Sequence, residues 1–227
     1  MKLPDMTRNK GFSLVELAVV LVIVGLLLGG MLLPLSAQRD VRSVAETQKA
    51  LGEIREALIG YAVINGKLPC PMLTSMTDPA NASYGFAPAT CSPGAEGYLP
   101  WKTLGVAEVD AWGQKRSANG DAFKGYWRYR VDDSFVVALT LSPTKTDPIN
   151  NISIRDAAGN TLTDSGTKAP VAIVFSTGAN LTADGLNGDG TADVYQGGDG
   201  TSTFDDMLIW ISQPSLFNRM VSAGKLP

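Results

Sequence analysis

Residues 10–33 read KGFSLVELAVVLVIVGLLLGGMLL. From Leu17 to Leu33 no charged or strongly polar side chain occurs, and from Phe12 onward only Ser13 and Glu16 interrupt the run. At about 1.5 Å per helical residue, such a stretch is long enough for a bilayer core of roughly 30 Å. The leader before it carries Lys2, Arg8 and Lys10 against the single acid Asp5. That positive excess holds the leader in the cytoplasm, so the rest of the chain is expected to face the periplasm or the outside. A secretory signal peptide fits poorly, because the run is long and no small-x-small site follows directly. A plain one-pass anchor explains every residue except Glu16. A carboxylate there is costly to bury unpaired and must otherwise snorkel to the headgroups.

Taken as one unit, Lys10-Gly11-Phe12-Ser13-Leu14-Val15-Glu16-Leu17 closely resembles the cleavage and methylation site of type IV prepilins and of type II secretion pseudopilins. The resemblance covers the leader and about the first third of the chain. It implies that prepilin peptidase, a membrane aspartic peptidase, cuts between Gly11 and Phe12 and that the new Phe12 amine is methylated. Gly11 lets the backbone enter a tight active site without a side-chain clash. The resemblance also implies that Glu16 pairs with the Phe12 amine of a neighbouring subunit in a helical filament. Such a pair gives a buried carboxylate a cationic partner and sets the axial register, and a helix N-terminus favours the same charge. The implied partners are prepilin peptidase, other pilin or pseudopilin subunits and the inner-membrane assembly machinery. The implied location is the bacterial inner membrane, single pass with the head in the periplasm, and then the filament. The competing reading is a membrane-tethered, calcium-dependent binding protein or adhesin that merely retains the helix.

Composition narrows the rest. The 227 residues are 44% hydrophobic and 18% charged, too apolar for a disordered chain. The net charge of -3 provides no basic field for nucleic acid. Losing residues 1–11 removes three of 19 basic groups and one of 22 acids, leaving 16 against 21, a net of -5. There is no histidine, which removes the commonest general base and zinc ligand, and no nucleophile elbow or phosphate loop appears. An enzyme is therefore not expected. An acid pair at Asp205-Asp206 is weakened because adjacent strand residues point to opposite faces.

The helix should continue past Pro34, which marks a kink or a melted turn. Val41, Val44, Gln48, Leu51, Ile54, Leu58 and Tyr61 then recur at spacings of three and four, an apolar stripe. Asn65-Gly66 ends the helix, giving a length of roughly 80 Å. The expected organisation is a cleaved leader at 1–11, a membrane or filament-core helix at 12–34, its amphipathic half at 35–65 and a β-rich head at 66–227. Strands are predicted over Tyr126–Val131, Val171–Phe175 and Met207–Ile211, more weakly over Asn151–Arg155. Asp132-Asp133-Ser134 reads as a hairpin turn into a second apolar run, Phe135–Thr140. The fold class is α+β, with an antiparallel sheet laid on the amphipathic half of the long helix, a plan that pilin heads share.

Cys70 and Cys91 lie in a Pro- and Gly-rich stretch between Lys67 and Lys102. In a periplasmic domain they are most simply one disulfide, with a reactive thiol pair or metal ligation as alternatives. Asp110-Ala111-Trp112-Gly113-Gln114 resembles the D-P-W-G-N element of major pseudopilins, with Ala for Pro. Thr203-Phe204-Asp205-Asp206-Met207 with Trp210 resembles their C-terminal acidic turn, where calcium binds. Upstream, Asp184 to Asp193 resembles nine-residue calcium loops: Asn187, Asp189 and Asp193 fit the spacing, while Gly185 holds the first ligand position and Asp184 is displaced by one. A polar surface turn is the alternative for that stretch. The candidate calcium ligands are thus Asp184, Asn187, Asp189, Asp193, Asp205 and Asp206.

Overall fold

The computed structural model describes residues 13–114, 124–139, 149–163, 165–166, 169–189 and 193–226. Gly11, Phe12 and Thr140 fall outside them. The chain forms two compact units, Met1–Arg42 and Ser43–Pro227. Helix α1 spans Leu14–Asn65. In the first unit the side chains of Leu14 to Leu27 are exposed, Leu14 to 87%. Among the described residues no helix is long and apolar enough to cross a membrane. Helix α1 continues through Pro34, so no melted turn occurs there.

In the second unit the buried stripe of α1 is Thr47, Leu51, Ile54, Leu58, Ile59 and Ala62. Val41, Val44 and Gln48 are exposed, so the stripe begins later than the spacing predicts, and Thr47 takes its first buried place. The Thr47 hydroxyl accepts the Ala111 N–H at 3.4 Å, which explains a polar residue there. The helix stops at Asn65 because Gly66 adopts a left-handed φ of 69° and its N–H closes on the Ala62 carbonyl.

The stripe packs on a four-stranded antiparallel sheet in the order β1 (Gly97–Tyr98), β4 (Arg128–Val131), β6 (Pro170–Ser176), β8 (Met207–Ser212). Strands β2 (Val109–Gln114) and β3 (Lys124–Tyr126) pair antiparallel, and β5 (Ser153–Arg155) and β7 (Val194–Gln196) pair parallel. A short helix, α2 (Trp101–Leu104), follows β1, and α3 (Gln213–Ser222) follows β8. The architecture is α+β.

Central strand β6 explains the second layer. Ala172 and Val174 face the helix, while Ile173 and Phe175 face Ile154 of β5, Tyr195 of β7 and Ile152, which immediately precedes β5. All seven β6 residues are buried, hence the unbroken apolar run where a half-exposed strand would alternate. On β4, Tyr129 and Val131 point to the helix side, and Arg128 and Arg130 therefore point toward β5–β7.

One sequence expectation fails here. Asp132-Asp133-Ser134 is no hairpin: Asp132 caps a short 3₁₀ turn, Asp133–Phe135, accepting the Ser134 N–H at 3.0 Å. Its other oxygen accepts the Asn150 N–H at 2.8 Å. Both edges of β4 are already paired, by β1 and β6, so a hairpin partner has no place to add.

Cys70 and Cys91 form a disulfide, with Cα atoms 5.1 Å apart across 21 positions. In the chain-entropy description a loop of this size contributes about 3 kcal/mol. Replacing both cysteines by Ser is expected to lower urea-unfolding stability by that order. An unchanged midpoint would mean that the Met72–Tyr98 bridge and the surrounding aromatic cluster hold the loop without it.

Candidate functional site

Antiparallel pairing of β6 with β8 sets Ser176 opposite Met207. The loop that leaves β6 and the residues that enter β8 therefore meet at one end of the sheet. There Asp184, Asp205 and Asp206 each bring a carboxylate oxygen within 4.8 Å of the others. Asp205 and Asp206 converge although adjacent because β8 begins only at Met207, so the alternation of a strand does not apply to them.

A dense set of bonds holds the group. Asp206 Oδ2 accepts the Asp184 N–H at 3.0 Å and the Asn187 amide at 2.9 Å. Asp184 Oδ2 accepts the Asp205 N–H at 3.1 Å, and Asp205 Oδ2 accepts the Asn180 N–H at 3.0 Å. Gly178 has a φ of 61°, and a Cβ there would sit 2.5 Å from Asp205, so only glycine fits. Its N–H binds Ser176 Oγ at 3.0 Å, and that hydroxyl donates to Asp110 Oδ2 at 2.6 Å.

Asp110 thus anchors the D-A-W-G element to the end of β6 and also accepts the Trp112 N–H at 3.0 Å. Burial pushes its carboxyl above the usual range. Gly113 and Gly125 are needed because the two backbones touch: a Cβ on Gly125 would lie 2.2 Å from Gly113 Cα. Trp112 is half-buried.

The remaining sequence candidates separate. Asn187 is buried, gives its amide to Asp206 and the Gln196 carbonyl, and accepts the Gln196 N–H, so it braces the group. Asp189 is exposed and lies outside the three-carboxylate group. Asp193 turns to Arg130: its Oδ1 lies 2.9 Å from Nε and 2.7 Å from Nη2. Burial raises Asp193 and Arg130 pulls it back.

Among the described residues no basic side chain pairs with these three carboxylates, which leaves their charge unbalanced. Burial is the main cause pushing Asp206 up to about 6, and it also raises Asp205. Among the described residues, Asp205 Oδ1 and Asp206 Oδ1 are buried and accept no hydrogen bond. Hard oxygen donors, two of them without a proton donor, fit a hard divalent cation.

At the other end of the chain, Ser13 and Glu16 bond reciprocally. The Ser13 N–H donates to Glu16 Oε2 at 3.1 Å, and the Glu16 N–H donates to Ser13 Oγ at 3.1 Å. This is a capping box at the start of α1, satisfying two otherwise unpaired backbone donors. The S-x-x-E spacing was its signal in the sequence. Glu16 is exposed, so Oε1 remains accessible to a second, cationic partner. Residues 6–32 match the prokaryotic N-terminal methylation motif. The motif is the signature of prepilin-type cleavage, and it contains the capping box, Glu16 and the start of α1. The chain matches no curated protein and no solved structure.

Proposed function

We propose that the chain is a structural subunit of a type IV pilus-like filament or type II secretion pseudopilus. The methylation motif over residues 6–32 carries this reading. Prepilin peptidase removes residues 1–11, Phe12 becomes the methylated N-terminus, and the apolar run anchors the precursor in the inner membrane with its head in the periplasm. On assembly the run leaves lipid for the filament core. Glu16 then takes the Phe12 amine of a neighbour while keeping the Ser13 N–H on its other oxygen. The protein works by assembly and catalyses nothing. Sheared filaments provide the test: the chain is expected in the filament fraction, and recovery from the inner membrane alone, with assembly active, would contradict the reading.

Asp184, Asp205 and Asp206 are proposed to hold calcium, with Asn187 and Asn180 as braces. Calcium would supply the positive charge that this group lacks and tie the loop after β6 to the start of β8. The pH dependence has a definite sign. Asp206 titrates at about 6 when folded, above the ordinary value of roughly 3.9, so the folded state holds the proton more tightly. Without metal, stability is expected to rise as pH falls from about 6 toward about 4, and Asp205 adds in the same direction. At pH 7 a hundredfold excess of calcium over Kd is expected to add about 2.7 kcal/mol, roughly 5–10 °C in Tm. Asp206→Asn should abolish that rise. An equal rise in the variant would place the cation elsewhere.

A further inference from the structure

The edge of a sheet carries a row of backbone donors and acceptors that need partners. In the four-stranded sheet the outer strands are β1 and β8. The edge at β1 is covered, because Met72 and Tyr98 exchange two backbone bonds, at 2.8 and 3.0 Å. Among the described residues nothing covers β8 in the same way.

The register shows which groups are left open. The Asp132 N–H bonds the Val171 carbonyl at 2.8 Å, which continues the β4–β6 ladder and turns the backbone groups of Val171, Ile173 and Phe175 toward β4. Those of Ala172, Val174 and Ser176 then turn toward β8, opposite Ile211, Ile209 and Met207. By alternation the N–H and C=O of Leu208 and Trp210 point out of the sheet, and among the described residues no backbone bond is formed to them. The usual protections of an edge are missing. Strand β8 reads MLIWIS, with no charge and no proline, and its ladder to β6 is regular from Met207 to Ile211. Trp210 is 39% exposed.

Complementarity decides what fits. Only an extended backbone meets alternating donors and acceptors, and β8 is itself such a strand. Two copies paired antiparallel about Trp210 set that residue against Trp210 of the second copy, an aromatic cross-strand pair, and set Leu208 against Ser212. The same register lays Asp206 of each copy beside Pro214 of the other, in the first turn of α3. That turn holds no acidic residue and no side-chain cap, so its open N–H groups are electropositive. The two acidic groups then stand about 27 Å apart along the ladder. A register centred on Leu208 would halve that distance and set Asp206 against the apolar Trp210.

We propose that β8 is a self-association edge, through which two heads join as an antiparallel, two-fold dimer. A two-fold contact closes on itself and is not the repeating contact of a helical filament, so the inference stands apart from the filament reading.

The test uses the full chain in detergent, with Leu208→Cys, Trp210→Cys and Ser212→Cys made singly. The native cysteines are joined to each other and do not compete. Hydrogen-bonded antiparallel partners have Cα atoms about 5.5 Å apart, within reach of a disulfide. On mild oxidation Trp210→Cys is expected to cross-link to its own copy about tenfold or more faster than either other variant, whose own copies lie about 14 Å apart. Mixing the Leu208→Cys and Ser212→Cys chains should restore a fast cross-link, because these positions face each other. Adding Trp210→Lys to both mixed chains sets like charges opposite one another and should slow that cross-link about tenfold. Thermal melts confirm that each variant is folded. Because apolar helices can also gather copies in detergent, the contrast between positions, not dimer formation itself, is the readout. Three results would overturn the proposal: equal rates at all three positions, meaning random collision; a mixed-pair cross-link that survives Trp210→Lys in a folded chain; or no cross-link in the purified chain but one to a different protein in intact cells, meaning that a foreign strand takes the edge.

Discussion

Glu16→Ala is expected to abolish incorporation into filaments while leaving removal of the leader intact. In the assembled state the carboxylate of Glu16 and a neighbouring Phe12 amine would both be removed from water. Deleting one member of such a pair leaves the other charge buried alone, at a cost of about 3–5 kcal/mol. Even the lower figure is more than a hundredfold in subunit affinity at each contact. Glu16→Ala also breaks the capping box with Ser13, which on its own is a smaller loss of about 1 kcal/mol. Glu16→Gln separates the two effects, because Gln can complete a capping box but cannot neutralise an amine. Both variants should fail in filament shearing and show a processed N-terminus. Assembly restored by Gln would mean that capping, not charge pairing, was the requirement.

The second large effect belongs to Asp193. Arg130 sits 1% exposed between the sheet and the β5–β7 layer, and Asp193 is its principal counter-charge. Asp193→Asn keeps a residue type that tolerates the φ of 63° at this position, so backbone strain does not confuse the outcome. Among the described residues it leaves Arg130 with the more distant Asp133 as its carboxylate partner, and a loss of about 3 kcal/mol is expected in urea unfolding. The calcium-dependent rise in Tm should persist in this variant. Asp189→Asn, at an exposed position, is expected to stay within about 0.5 kcal/mol of the parent. A lost calcium response in Asp193→Asn would return this residue to the metal site and sever it from a purely structural role.

These outcomes bear on what a sequence can disclose. Features set by nearby residues were legible: the end of α1 at Asn65-Gly66, and β4, β6 and β8 from their apolar patterns. Two local signals went unread although present. Ser13-x-x-Glu16 spells the capping box, and Ser212 followed by Pro214 opens α3. The false hairpin at Asp132 came from residues that serve turns and caps equally well. Asp184, Asp205 and Asp206 were each legible as candidate ligands, but that these three meet and the other candidates do not was beyond a linear reading, since it depends on β6 and β8 being neighbours. Likewise Asp193 fits a loop motif by spacing, yet its partner Arg130 is 63 positions away. The second layer over β6 was foreshadowed only by the unbroken apolar run Val171–Phe175, which is ambiguous until its covering elements are known.

The filament account depends first on processing, and the mass of the mature chain tests that most directly. Intact mass and N-terminal fragmentation of the protein from its native membrane or filament should show a chain that begins at Phe12, carries one methyl group on its amine and has lost residues 1–11. A mature protein that still begins at Met1, or one cut elsewhere than after Gly11, would contradict it.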